Sequence, residues 1–192
     1  MRKRGDQDLR VRWARGRAAH LLCPPDGAPV LIRAVRPEDA PRLERLLYRL
    51  SPERITSYCF SPVPKLPQWA ARLAEVASAT GVEHGVLVAL LGEEIVGVAR
   101  YERIGWEEAE FALLIEDGGP GRGLGKRLLG ILIQEARRQG IGTFRASIQG
   151  ENRCALRLVG ALFATVHPQW YGRECLIQAP TAALRPVCSG DG

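Results

Sequence analysis

Residues 109–129 read AEFALLIEDGGPGRGLGKRLL: an apolar run, five glycines within positions 118–125, then a leucine-rich segment. Strand, tight loop and helix start in that order form one unit, and the loop decides how the rest is read. Glycines ahead of a helix either turn a corner or let an anion approach the first N–H groups. Those groups have no internal acceptor and carry the positive end of the helix dipole. Arg122 and Lys126, interleaved with the glycines, favour the anion. Two familiar nucleotide loops fail on register. A Walker A loop would begin at Pro120 and need a hydroxyl at Arg127, and a Gly-x-Gly-x-x-Gly fingerprint from Gly121 would need glycine at Lys126. What the residues favour is a metal-free phosphate or pyrophosphate cradle, with a glycine-rich turn that closes the strand–helix corner as the alternative.

Outward from this unit the pattern alternates strands and helices. Val86–Leu91 and Ile95–Tyr101 flank Gly92-Glu93-Glu94, a hairpin signal, and Ala109–Ile115 follows as a third strand. Earlier, Val30–Val35 reads as a strand and Arg36-Pro37-Glu38-Asp39 as a helix start, with Ala40, Leu43, Leu47 and Leu50 at helical spacing and Ser51-Pro52 as the stop. SPVPKLP at 61–67 reads as a loop and 69–79 as a short helix. Downstream, Leu124–Gln139 is a helix with Leu124, Leu128, Leu132 and Ala136 in one row, ended by Gly140. Phe144, Ala146 and Ile148 alternate on a strand, Asn152–Leu162 is helical, and Glu174–Gln178 is a last strand. The fold class is α/β: one domain, a mixed, mostly antiparallel central sheet flanked by helices. The expected organisation is a basic, poorly ordered tail at 1–27, the domain at 28–180, and a C-terminal tail at 181–192.

The 192 residues are 46% hydrophobic and 25% charged, with no apolar run long enough to span a membrane and no apolar segment after the first basic residues. A cytoplasmic protein without membrane contact is expected, as monomer or homodimer. Of the net charge of +6, residues 1–17 carry +5, a solvated arm rather than a nucleic-acid contact. The five cysteines form no Cys-x-x-Cys pair and the three histidines lie far apart, so no metal site is expected. Cys154 reads as a small buried hydrophobe rather than a nucleophile, and Trp69, Trp106 and Trp170 as packing or as walls of an acceptor groove.

The loop and its surroundings resemble the GNAT N-acetyltransferase superfamily, whose cofactor loop follows Gln/Arg-x-x-Gly-x-Gly/Ala at the start of the central helix. Gly121-Arg122-Gly123-Leu124-Gly125 fits that frame, and Pro120 stands where glutamine or arginine is usual. Arg36-Pro37-Glu38-Asp39, Leu50-Ser51-Pro52-Glu53, the hairpin at 92–101 and Ala109-Glu110-Phe111-Ala112 are similar to the bacterial protein-lysine acetyltransferases of that superfamily, over roughly residues 28–165.

The resemblance implies acetyl-CoA as co-substrate and no metal. It places the pantetheine arm along the backbone of Leu113, Leu114 and Ile115, the pyrophosphate on the N–H groups of Gly121, Arg122, Gly123, Leu124, Gly125 and Lys126, and Asn152 near the acyl end. It implies an amine acceptor, a protein lysine, acetylated by direct attack in a ternary complex, with Glu110 as base. A glutamate near ~4.3 facing an ammonium near ~10.4 is about six units short, so relay through water or capture of the free amine is expected, with rate rising toward alkaline pH. Val159 stands where many relatives carry a tyrosine that protonates the departing thiolate, and the Gly-Phe ending of that helix falls on Phe163-Ala164. Two alternatives stay open: a small-molecule amine as acceptor, and a catalytically weak acyl-CoA-binding sensor or scaffold.

Overall fold

The computed structural model describes residues 19–23, 28–51, 83–117 and 123–186. Pro120, Gly121, Arg122, Trp69, the expected loop at 61–67 and the expected helix at 69–79 lie outside them. The sheet has eight strands: β1 (Ala19–Leu22), β2 (Val30–Ala34), β3 (His84–Leu91), β4 (Glu94–Arg103), β5 (Glu108–Ile115), β6 (Thr143–Gln149), β7 (His167–Tyr171) and β8 (Glu174–Pro180). Their order is β1-β2-β3-β4-β5-β6-β8-β7. Every neighbouring pair is antiparallel except β5 and β6, which are parallel because a helix carries the chain between them.

Three helices accompany the sheet among the described residues: α1 (Ala40–Arg49), α2 (Leu124–Arg138) and α3 (Arg153–Leu162). Proline fixes the 3-10 turn Pro37–Asp39 that opens α1. Asp39 in that turn accepts from the Arg36 N–H at 2.9 Å and takes both guanidinium arms of Arg33 at 2.6 and 2.8 Å. This buried pair ties β2 to the start of α1. Gly92 at φ 60° supplies the left-handed step of the two-residue turn between β3 and β4.

The sheet separates two apolar layers. On one face α1 lays Leu43, Leu46 and Leu47 over Val86, Val88, Val98, Ala112 and Leu114. On the other, α2 buries Leu124, Leu128, Leu129, Leu132, Ile133 and Ala136 against β3–β6, with Phe111 stacked on Phe144 and Phe163 tilted against it at the centre. Each large aliphatic side chain buried there contributes about 1.5–3 kcal/mol.

Both chain ends enter the fold further than the sequence suggests. Ala19–Leu22, inside the expected tail, pairs with Val30–Arg33 as the first sheet strand. At the other end Thr181–Ala183 form a 3-10 turn, Leu184 bridges to Phe163, and the Arg185 N–H donates to the Leu162 carbonyl. The stretch 167–171, given no regular structure by the sequence, is the outermost strand β7.

Candidate active site

The parallel strands β5 and β6 share three paired positions, Glu108 with Thr143, Ala109 with Phe144 and Glu110 with Arg145, and then part. Each stays paired on its far side, β5 to β4 as far as Ile115 and β6 to β8 as far as Gln149. A fork therefore opens in the middle of the sheet with Glu110 and Arg145 at its apex. The main chain lining it follows from ladder alternation. The Ile104 N–H donates to Glu108 O and the Glu116 N–H to Val96 O. Even-numbered residues of β5 thus bond to β4, and the main-chain groups of Phe111, Leu113 and Ile115 face the fork. Leu114, expected alongside Leu113 and Ile115, points its main chain back to β4 and buries its side chain under α1.

The N-terminus of α2 lies beside the end of β5. A Cβ on Gly125 would stand 3.2 Å from Leu113 Cδ2 and 3.6 Å from Ile115 Cγ1, so glycine permits that close approach. Gly123 caps the helix at φ 104°, left-handed backbone that side-chain-bearing residues rarely adopt, and its carbonyl accepts the first helical bond, from the Arg127 N–H at 3.0 Å. The N–H groups of Leu124, Gly125 and Lys126 precede that bond and have no acceptor within the helix.

Glu110 is half-buried, and strand alternation sends its sequence neighbours Ala109 and Phe111 into the opposite layer. It shares its face with Ala112 and Leu114, beyond the cover of α1. Cross-strand neighbours of Glu110 are Glu102 and Arg145, yet each is engaged elsewhere: Arg100 bonds Glu102 at 3.1 Å and Arg145 bonds Glu108 at 3.1 Å. Ser147, two residues beyond Arg145 on the same face, donates to Glu174. The Glu110 carboxylate itself has no hydrogen-bond or ion-pair partner among the described residues. Glu102, Glu108, Arg145 and Ser147 escaped the sequence reading; the alternation of Arg145 and Ser147 with Phe144 and Ala146 was the available signal.

Asn152 is the N-cap of α3, its Oδ1 accepting from the Ala155 N–H at 3.1 Å. The two N–H donors of that amide have no partner among the described residues. Val159 is core, packed with Leu162 and Phe163. Cys154 is exposed, not buried as the sequence suggested, because it occupies the outward side of the first turn of α3. Neither described tryptophan is core. Trp106, 90% exposed, borders an open cavity of about 630 Å³ with Arg103, Ile104 and Gln139, at the far end of β5 from the glycines. Trp170 leans on Gly150, where an added Cβ would come within 3.1 Å of its ring. No group of three or more metal-ligating side chains occurs among the described residues, and no described helix is long and apolar enough to cross a membrane.

The sheet is thus forked between two central parallel strands, with a glycine-capped helix start at the open end. A family model described as an acetyltransferase (GNAT) domain matches residues 30–162, and the chain belongs to that family, whose co-substrate is acetyl-CoA. Among solved structures, the GNAT domain of S. lividans PAT is 24% identical over 84% of this chain and 96% of its own, with a TM-score of 0.70. Ribosomal-protein-S5-alanine acetyltransferase from Vibrio fischeri is 14% identical, covering 82% and 96%, with a TM-score of 0.64. PaiA N-acetyltransferase from Thermoplasma acidophilum, solved in complex with coenzyme A, is 17% identical, covering 79% and 98%, with a TM-score of 0.61. At these identities the likeness is one of fold.

Proposed function

We propose that the chain transfers an acetyl group from acetyl-CoA to a primary amine, a protein lysine, by direct attack in a ternary complex. The observation that carries this reading is the fork, with an uncommitted carboxylate at its apex and unpaired helix N–H groups at its mouth. Acetyl-CoA supplies an acetyl group activated as a thioester. The N–H groups of Leu124, Gly125 and Lys126, continuing the glycine stretch from Gly121 and Arg122, hold the pyrophosphate. Leu113 and Ile115 offer main-chain groups to the pantetheine arm as β6 would have done, and that direction along β5 leads to Glu110. Phe111 and Phe144 close the sheet face under α2 at this level. The amine therefore enters from the other face, past Glu102, Glu108 and Arg145. Glu110 accepts its proton through water, and Asn152 offers its free amide donors at the rim of the fork.

A protein acceptor is supported by the sequence likeness to protein-lysine acetyltransferases; the V. fischeri neighbour carries a ribosomal protein in its name. Val159 motivates a second reading, acyl-CoA binding with little turnover, since a buried valine supplies no proton to the departing thiolate. A thiol near ~8.5 leaves without help, which favours turnover.

The test is to follow thiol release from acetyl-CoA with protein and small-amine acceptors, measuring thermal stability alongside. Ligand at ~100 times its Kd adds about 2.7 kcal/mol of stability. Stabilisation with acetylated lysine supports the proposal, stabilisation with no turnover supports the second reading, and no stabilisation by any acyl-CoA overturns both.

A further inference from the structure

Arg49, in the last turn of α1, reaches the residue that ends β5. Its Nε donates to Glu116 Oε1 at 2.5 Å and its Nη2 to Glu116 Oε2 at 3.4 Å. The same Nη2 donates to the Ile95 carbonyl at 2.7 Å, and Nη1 to Glu94 Oε2 at 3.0 Å. Arg45 holds the other side of Glu94, at 3.1 Å through Nε and 2.8 Å through Nη2. Glu116 follows Ile115 directly, and its side chain is only 18% exposed. An isolated surface ion pair contributes little, but one guanidinium shared by a part-buried carboxylate, a second carboxylate and a main-chain carbonyl forms a network with fixed geometry.

We propose that Arg49 is a positioning residue for the acetyl-CoA site: by clamping Glu116 it fixes the fork edge Leu113–Ile115 between α1 and β4. The inference rests on the reading of the fork as the pantetheine site. Arg49 itself touches neither substrate. Released from the clamp, the end of β5 loses its polar tie to α1 and keeps its ladder to β4 and the packing of Leu114 under α1, so the fork edge is less well held when the arm arrives. The effect falls on cofactor affinity, because Glu110 sits five residues upstream, where β5 is paired on both sides.

The test uses Arg49→Met, Arg49→Lys, Glu116→Gln and Arg45→Met in the full chain. Three readouts apply: calorimetric Kd for acetyl-CoA, the split between KM and kcat, and amide hydrogen exchange of residues 111–117 without ligand. Arg49→Met is expected to raise Kd and KM roughly five- to tenfold with kcat within about twofold, and to speed exchange at Leu113–Glu116. Glu116→Gln should do the same to a lesser degree, and it reads the same contact should Arg49→Met fail to fold. Arg49→Lys should recover only part, since an ammonium cannot hold Glu116 through two nitrogens while bonding Ile95. Arg45→Met, which loses Glu94 and leaves Glu116 held, should bind as wild type. Wild-type binding with folded Arg49→Met unchanged in affinity and exchange overturns the clamp alone. A wild-type protein that binds no acetyl-CoA overturns the reading of the fork, and this inference with it.

Discussion

Glu110 and Arg145 occupy the last rung that β5 and β6 share, yet the Arg145 guanidinium bonds Glu108, at 3.1 Å, and leaves Glu110 without an ionic partner among the described residues. An arginine turned onto Glu110 would hold that carboxylate as an ion pair; turned away, it leaves the carboxylate uncommitted for the proposed role as base. Glu110→Gln is therefore expected to lower kcat by about a hundredfold or more, the usual range for loss of a general base, with acetyl-CoA affinity unchanged. Steady-state kinetics with calorimetry checks both halves; a variant with full turnover and the same pH profile would remove Glu110 from the mechanism.

Gly123 stands at φ 104° with open space where a Cβ would sit, so alanine there meets no clash and suffers only from its backbone. The left-handed conformation costs such a residue about 1–2 kcal/mol, relieved only by shifting the first N–H groups of α2. Gly123→Ala should lower Tm and weaken acetyl-CoA binding about tenfold, a 1.4 kcal/mol effect at the helix start. Wild-type affinity in this variant would show that those N–H groups do not hold the phosphates.

Cys154 is exposed on α3. Direct transfer leaves it no covalent role, so Cys154→Ser should keep wild-type kcat and KM. Intact-mass spectrometry of the wild type during turnover should show no acyl-protein at Cys154; a burst of such a species would contradict direct attack.

Asp39 reports on the acid limit of the fold. Burial pushes its carboxyl up, but the hydrogen bonds from Arg33 and from the Arg36 N–H, with the charges of Arg33 and Arg42, outweigh this and hold it below the ordinary 3.8. Because the folded value lies below the unfolded one, the pair's stabilisation is present above that ordinary value and is lost as pH falls through the lower folded value. Asp39→Asn, which leaves Arg33 buried without its counter-ion, should cost about 3–5 kcal/mol at neutral pH. Its stability should also fall less steeply than wild type below pH 4, as denaturant unfolding across that range would show.

Much of this was legible in the chain, and what was missed has a physical reason. The hairpin at Gly92, the helix opening at Pro37 and the leucine row of α2 are local signals, each set by backbone preference or periodicity within a few residues. The strands Ala19–Leu22 and His167–Tyr171 are not local: one has four residues and follows a charged stretch, the other contains proline and exposes every side chain. Their pairing comes from β2 and β8. The glycine stretch and Glu110 could be named from sequence, but the fork that relates them could not, since it depends on where two strands 27 residues or more apart stop pairing. The same holds for Arg49 and Glu116, which lie 67 positions apart in the chain.

The most direct test of the central claim is the product balance when the protein is incubated with acetyl-CoA and lysine-bearing protein acceptors. Direct transfer predicts one free coenzyme A thiol for each acetylated lysine side chain, a rate rising toward alkaline pH, and formation of both products slowed together, by about a hundredfold or more, in Glu110→Gln. Acetyl-CoA that neither stabilises the protein nor yields an acetylated amine with any acceptor would contradict it.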